Sequence, residues 1–125
     1  MQFSGEEAIL IVDDEEILLE MAGEILETAG YHITKAASGQ EALDLLNKHE
    51  YDLLFTDVIM PGMTGYQLVR EALRLAPEMK VLLTSGYQVG YEQADIDQKL
   101  IDNVVSKPYG DLKLCRAIRN ALDED

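Results

Sequence analysis

Five polar residues of this sequence each follow a short apolar run, and their side chains suit one kind of chemistry. They are Asp13, Asp14, Asp57, Ser85 and Lys107. If the runs are strands of one parallel sheet, their carboxyl ends meet at a single edge, which is where open α/β sheets bind ligands. Clustered carboxylates suit Mg²⁺, while an ammonium and a hydroxyl can hold anionic oxygens. Together these groups are the parts needed for phosphoryl transfer to an aspartate, with Asp57 as the nucleophile.

Each of these residues also has an ordinary structural explanation. Asp57 lies ahead of a proline-glycine turn, where a carboxylate often bonds its own backbone. Asp13 and Asp14 can serve the start of a helix, the first as a cap paired with a glutamate three residues later and the second by its charge. Ser85 can be a polar strand end and Lys107 a solvated turn residue. Singly these explanations are as good as the functional one, but jointly they require five coincidences at one sheet edge.

Five apolar segments predict the strands of that sheet. The segments are short, and turn residues such as the Pro61-Gly62 pair bound them. Branched side chains at Ile9, Ile11 and Val12 suit a strand that is covered on both faces. The predicted strands span residues 8–12 and 31–36, a run at 53–55 that leads to Asp57, and residues 80–85 and 104–105.

Apolar residues at three- and four-residue steps predict helices between the strands. Gly30 is expected to close the first helix as a C-terminal cap, and Ser38 with Glu41 forms a capping-box signature for the second. Pro77 ends the third, a short helix is expected within 88–100, and Asp111 is expected to cap the last. The predicted inner faces are Ile17, Leu18, Met21, Ala22, Ile25, Leu26 and Ala29; Ala42, Leu45, Leu46 and His49; Leu68, Val69, Ala72, Leu75 and Ala76; and Leu114, Cys115, Ile118, Ala121 and Leu122.

Strands that alternate with helices over short connections predict an α/β domain, a parallel sheet with helices on both faces. The 125 residues fit a single domain, expected over 6–123 with no output domain. A net charge of -14 argues against nucleic acid as a partner. One cysteine excludes an internal disulfide, and no apolar stretch reaches the length of a membrane helix, so we expect a cytoplasmic protein.

These motifs resemble the receiver domain of two-component response regulators over nearly the whole chain. That family has an acidic pair after the first strand, a phosphorylated aspartate and a Met-Pro-Gly turn after the third, a hydroxyl residue with a small neighbour after the fourth, and Lys-Pro after the fifth. The matching segments here are Asp13-Asp14, Asp57 with Met60-Pro61-Gly62, Ser85-Gly86 and Lys107-Pro108. The sequence Ser85-Gly86-Tyr87 is similar to the corresponding sequence in receivers at the ends of hybrid histidine kinases.

The resemblance implies a flavodoxin-like fold with strand order 2-1-3-4-5. It also implies that Asp57 accepts a phosphoryl group from the phosphohistidine of a histidine kinase or phosphotransfer domain. By the same resemblance Asp14, Asp57 and the backbone carbonyl of Ile59 bind Mg²⁺, with Asp13 contributing through water. Ser85 and Lys107 then bind the phosphoryl group, and the bond before Pro108 is cis.

Two features depart from the family pattern. Relatives carry an aromatic switch residue three positions before the lysine, where this chain has Val104. The rotation of an aromatic side chain is therefore not expected here, whereas movement of a hydroxyl is. The neighbouring Thr84 and Ser85 both offer a hydroxyl; Ser85 is preferred because Gly86 leaves room beside it.

Other function classes fit the sequence less well. A phosphatase of the haloacid dehalogenase type needs a second acid two residues after the nucleophile, where Ile59 stands. Neither glycine-rich nucleotide-binding motif occurs. A receiver that only binds proteins and is never phosphorylated stays open as an alternative. We expect a monomer or weak dimer that is not an enzyme beyond its own phosphorylation and dephosphorylation.

Overall fold

A computed structural model of the chain describes residues 5–85, 104–106 and 110–123. Within these ranges one sheet of five parallel strands has the order β2-β1-β3-β4-β5. The predicted flavodoxin-like order is therefore confirmed, and the expected helix within 88–100 lies outside the described residues. The strands are β1 (Ala8–Val12), β2 (His32–Ala36), β3 (Leu53–Asp57), β4 (Lys80–Ser85) and β5 (Val104–Ser106).

Helices cover both faces of the sheet, as predicted. The described helices are α1 (Glu16–Thr28), α2 (Gly39–Leu46), α3 (Gly65–Leu75) and α4 (Asp111–Asp123). One apolar cluster joins α1 and α4 to the sheet, with Phe55 and Leu82 among its strand residues. The other joins α2 and α3 to the opposite face, with Leu54 and Leu83 among its strand residues. The central strands β1 and β3 are buried on both sides because their side chains alternate between these two clusters.

The predicted inner face of α1 is wrong at two positions. The helix packs through Leu19, Ala22 and Leu26, whereas Ile17 is 76% exposed and Met21 45% exposed. Met21 is two residues from Leu19, which is about 200° around a helix of 3.6 residues per turn. Apolar residues lie on two sides of this helix, and only one of the two sides packs against the sheet.

Helix ends account for the other differences. His49 lies beyond the end of α2 and is exposed, and Leu75 is exposed in the last turn of α3. Asp111 is the first residue of α4 and not its cap, because the carbonyl of Gly110 accepts the first helical bond, from Leu114, at 3.0 Å. These predicted helix ends are displaced by one turn or less, and the apolar period of a helix gives little information about where the helix ends.

The predicted caps are confirmed at the end of α1 and in part at the start of α2. Gly30 has a φ of 104°, its N–H donates to the carbonyl of Glu27, and the N–H of Tyr31 donates to that of Leu26. That pair of bonds is a Schellman cap, which favours glycine at the left-handed position. The Ser38 hydroxyl accepts from the Glu41 N–H at 3.1 Å, but the Glu41 carboxylate reaches the N–H of Ala37 rather than that of Ser38.

Arg119 links α4 to the amino-terminal end of β1 through hydrogen bonds. Its guanidinium donates to both carboxylate oxygens of Glu7, at 3.1 and 2.6 Å, and to both of Asp123, at 3.2 and 2.8 Å. Tyr31 contributes its hydroxyl at 3.4 Å. The hydrogen bonds from Arg119 hold the pKa of Glu7 below its usual value. A bidentate arginine–carboxylate pair of this kind stabilises the fold more than a single surface ion pair does.

Glu7→Gln is therefore expected to lower the free energy of unfolding at pH 7 by about 1 kcal/mol. Because the folded-state pKa of Glu7 is depressed, its contribution is present above the unfolded value of 4.5 and is lost as pH falls below it. The gap between parent and variant should close on acidification, measured by urea unfolding from pH 7 to pH 3.

The matched control is Glu71→Gln. Glu71 pairs with Arg74 at 3.4 Å on an exposed part of α3, and its loss should have little effect on stability at any pH. An equal loss in both variants would mean that the Glu7 pair has no special role.

Candidate functional site

Three aspartates meet at the carboxyl edge of the sheet. Asp57 ends β3, and Asp13 and Asp14 follow the neighbouring strand β1, whose Val12 is the register partner of Thr56. One carboxylate oxygen from each aspartate lies within 4.8 Å of the others. Asp13 is 3% exposed and Asp57 is 4% exposed, while Asp14 is exposed. The cluster therefore has a buried base and one side that faces solvent.

Asp13 is fixed by the backbone around it. Its N–H donates to the carbonyl of Ala36 on β2 at 3.2 Å, and its Oδ1 accepts from the N–H of Glu15 at 2.9 Å. Glu15 itself is the N-cap residue of α1 and makes no side-chain cap. The structure therefore does not contain the alternative arrangement, a capping box formed by Asp13 and Glu16.

The loop after Asp57 is anchored at both ends. The Val58 N–H donates to the carbonyl of Thr84 on β4 at 3.0 Å, and the Val58 carbonyl accepts from Gly65 at 2.7 Å. Val58 and Met60 are buried, whereas Ile59 between them is 49% exposed. The residue directly after Asp57 is therefore tied both to β4 and to the start of α3, while the Ile59 side chain is half exposed.

Gly65 and the cap beside it were not among the predicted site residues. A Cβ on Gly65 would collide with the carbonyl oxygen of Asp57 and would lie 2.9 Å from the Cα of Val58. Thr64 caps α3 by accepting from the Gln67 N–H at 3.2 Å, and the Gln67 side chain accepts from the Thr64 N–H at 2.9 Å. This Thr-x-x-Gln capping box could have been found in the sequence, but the close approach of Gly65 could not.

The chemistry of the cluster fits a hard divalent cation. Each of its three side chains offers carboxylate oxygen, the ligand that Mg²⁺ prefers, and one side of the cluster opens to solvent for the waters that Mg²⁺ keeps. Like charges this close repel one another, so binding of a cation is favourable. Asp13, Asp14 and Asp57 are thus able to hold Mg²⁺.

Only part of the predicted phosphate-binding group falls in the described chain. Ser85 ends β4 with Ser106 as its register partner, but its side chain lies outside the described residues. The same holds for Lys107, for Pro108 and for the side chain of Val104. The structure thus brings the three predicted acidic residues together, and the roles of the remaining ones stay predictions.

Comparison with known proteins agrees with this fold. The family model of the response regulator receiver domain matches residues 9–119 of this sequence. CpdR, a response regulator receiver protein of Brucella abortus, is 33% identical over 101 residues, which are 81% of this chain and 84% of CpdR. The sensor kinase CckA of Brucella abortus is 29% identical over 123 residues, which are 97% of this chain but 13% of the kinase. The chain belongs to the response regulator receiver domain family.

Solved structures place the chain in the same group. A CheY-like receiver domain protein from Methanospirillum hungatei is 30% identical, with a TM-score of 0.83 and 96% of each chain covered. The receiver domain of the hybrid histidine kinase CckA is 31% identical, with a TM-score of 0.76 and 93% and 99% covered. The likeness to receivers of hybrid kinases is therefore confirmed. Receiver domains interact with histidine kinases or phosphotransfer proteins and are not enzymes in the ordinary sense. No helix in the described ranges is both long and apolar enough to span a membrane.

Proposed function

We propose that this receiver domain, over residues 6–123, takes a phosphoryl group onto Asp57 from the phosphohistidine of a histidine kinase or phosphotransfer domain. The observation that carries the proposal is a buried Asp57 at the carboxyl end of β3 with oxygens of Asp13 and Asp14 within 4.8 Å. A carboxylate oxygen of Asp57 attacks phosphorus, the P–N bond breaks, and the imidazole leaves with the bonding electrons. Such transfer depends mainly on positioning and on neutralising charge.

Different residues of the chain have different proposed roles in this reaction. Asp13, Asp14, Asp57 and the carbonyl of Ile59 would hold Mg²⁺, which supplies positive charge to the phosphoryl oxygens. Ser85 and Lys107 are proposed to hold those oxygens after transfer, with a cis bond before Pro108. Because Val104 replaces an aromatic residue, the conformational signal relies on movement of the Ser85 hydroxyl.

Exposed apolar side chains on α1 and α4 support a protein as the phosphoryl donor. Ile17 and Met21 lie on the outer side of α1, and Leu112 of α4 is 60% exposed. Met21 and Leu112 line a groove of about 480 Å³ between the two helices, together with the carboxylates of Glu24 and Asp111. Apolar surface with an acidic rim suits a partner that carries apolar and basic side chains. The charge of -14 argues against nucleic acid, and we infer a cytoplasmic monomer or weak dimer.

The test of the proposal is incubation with acetyl phosphate and Mg²⁺. Intact-mass measurement should show one added phosphoryl group that hydroxylamine removes, as expected of an acyl phosphate, and chelation of the metal should prevent its appearance. A protein that stays unmodified under these conditions would instead be a receiver that only binds partners. No activity on other substrates is proposed.

Asp14→Ala is expected to abolish measurable Mg²⁺ binding, because it removes the exposed member of the carboxylate cluster. Calorimetric titration with Mg²⁺ provides the measurement. Glu27→Ala is the control: Glu27 is an exposed carboxylate in the last turn of α1, and its removal changes the net charge by the same amount. Unchanged Mg²⁺ affinity in Asp14→Ala would exclude the cluster as the metal site.

A further inference from the structure

The hydroxyl of Thr84 is a buried polar group without a hydrogen-bond partner in the described part of the chain. The residue is 2% exposed, and its Oγ1 makes no hydrogen bond there. A buried hydroxyl that is left unpaired destabilises a fold, and native proteins contain few of them. The presence of such a group beside a reactive site calls for a functional explanation.

Thr84 is next to Asp57 in the sheet. The two residues are register partners on β4 and β3, and the N–H that follows Asp57 donates to the Thr84 carbonyl at 3.0 Å. Two residues earlier on these strands, Phe55 and Leu82 both belong to the cluster under α1 and α4. Since side chains alternate along a strand, Asp57 and Thr84 point to that same face. Neighbouring strands lie about 4.8 Å apart, so rotation of the Thr84 side chain can bring its hydroxyl to the Asp57 carboxyl group.

We propose that Thr84 is a positioning residue for phosphoryl transfer, whose hydroxyl donates a hydrogen bond to the Asp57 side chain as the acyl phosphate forms. The inference rests on the proposed function of Asp57. When one carboxyl oxygen of Asp57 becomes the bridging oxygen to phosphorus, the other becomes a carbonyl oxygen. A donor on the adjacent strand fixes the direction of that carbonyl oxygen, and thereby the line of attack. Ser85, one residue on, keeps its separate proposed role at the phosphoryl oxygens.

Two substitutions separate this role from a merely structural one. Thr84→Val keeps the shape and removes the hydroxyl, so the unphosphorylated protein should melt about 3 °C or more higher. Its maximal rate of phosphorylation by acetyl phosphate at saturating Mg²⁺ should fall roughly tenfold. The acetyl phosphate concentration that gives half the maximal rate should stay the same. Thr84→Ser keeps the hydroxyl but loses a buried methyl group, so it should melt lower and retain the parent's rate.

The expected result is that Thr84→Val melts higher than the parent but reacts more slowly, whereas Thr84→Ser melts lower and reacts at the parent's rate. A Thr84→Val protein that melts higher and reacts at the parent's rate would overturn the proposal. A Thr84→Val protein that melts lower would do so as well, because the hydroxyl would then already be satisfied, for example by water. Failure of the parent protein to be phosphorylated would contradict the role of Asp57 itself, which is a different outcome from equal rates in parent and variant.

Discussion

An Asp57→Asn protein is expected to acquire no phosphoryl group from acetyl phosphate while it unfolds as cooperatively as its parent. Asparagine has nearly the shape of aspartate, so the end of β3 and its bonds through Val58 should persist. An amide, however, offers no nucleophilic carboxylate oxygen. The measurements are intact mass after incubation with the donor and Mg²⁺, and thermal unfolding of both proteins without it.

Asp52→Asn is the matched control for that experiment. Asp52 lies just before β3, at the opposite end from Asp57, where its Oδ2 accepts from the Ala8 N–H at 2.8 Å. Asparagine retains an oxygen for this bond, and the net charge changes by the same amount in both variants. The control should be phosphorylated like the parent. Uptake by Asp57→Asn at the parent's rate would show that another residue is the acceptor.

The strands were the part of the fold that the sequence predicted best. The predicted spans of β1 and β4 agree with the structure residue for residue, because turn residues bound short apolar runs that are buried on both faces. The faces of α1 were harder, since apolar residues at Ile17 and Met21 continue the helical period without meeting the sheet. Periodicity identifies a helix but does not say which of two apolar sides is covered.

The convergence of Asp13, Asp14 and Asp57 could be predicted because parallel topology alone brings strand ends to one edge. Their roles came from the family resemblance and not from spacing. The close approach of Gly65 could not be predicted, nor could the Thr84 hydroxyl that lacks a hydrogen-bond partner within the described ranges. Both depend on how closely two segments approach in space, which no pattern within one segment records.

The backbone of Gly65 sets where the proposed acceptor lies relative to α3. Its N–H donates to the Val58 carbonyl at 2.7 Å, so the first turn of the helix is bonded directly to the end of the acceptor strand. A side chain on Gly65 would meet the Asp57 carbonyl oxygen and the backbone of Val58, neither of which is a flexible group. Accommodating a methyl group requires α3 to move away from β3 or the Asp57 backbone to shift.

Gly65→Ala is therefore expected to lower the free energy of unfolding by roughly 2 to 4 kcal/mol and to slow phosphorylation of the remaining folded protein at least tenfold. Helix propensity alone predicts the opposite sign, because alanine favours a helix by up to about 1 kcal/mol over glycine. Gly62→Ala is the comparison: Gly62 has a φ of 83°, and an added Cβ would meet no atom of the described chain within 4 Å, so alanine there costs only the backbone strain, about 1 to 2 kcal/mol. Urea unfolding and the acetyl phosphate rate measure both effects, and a Gly65→Ala protein more stable than its parent would show that α3 does not approach the acceptor strand this closely.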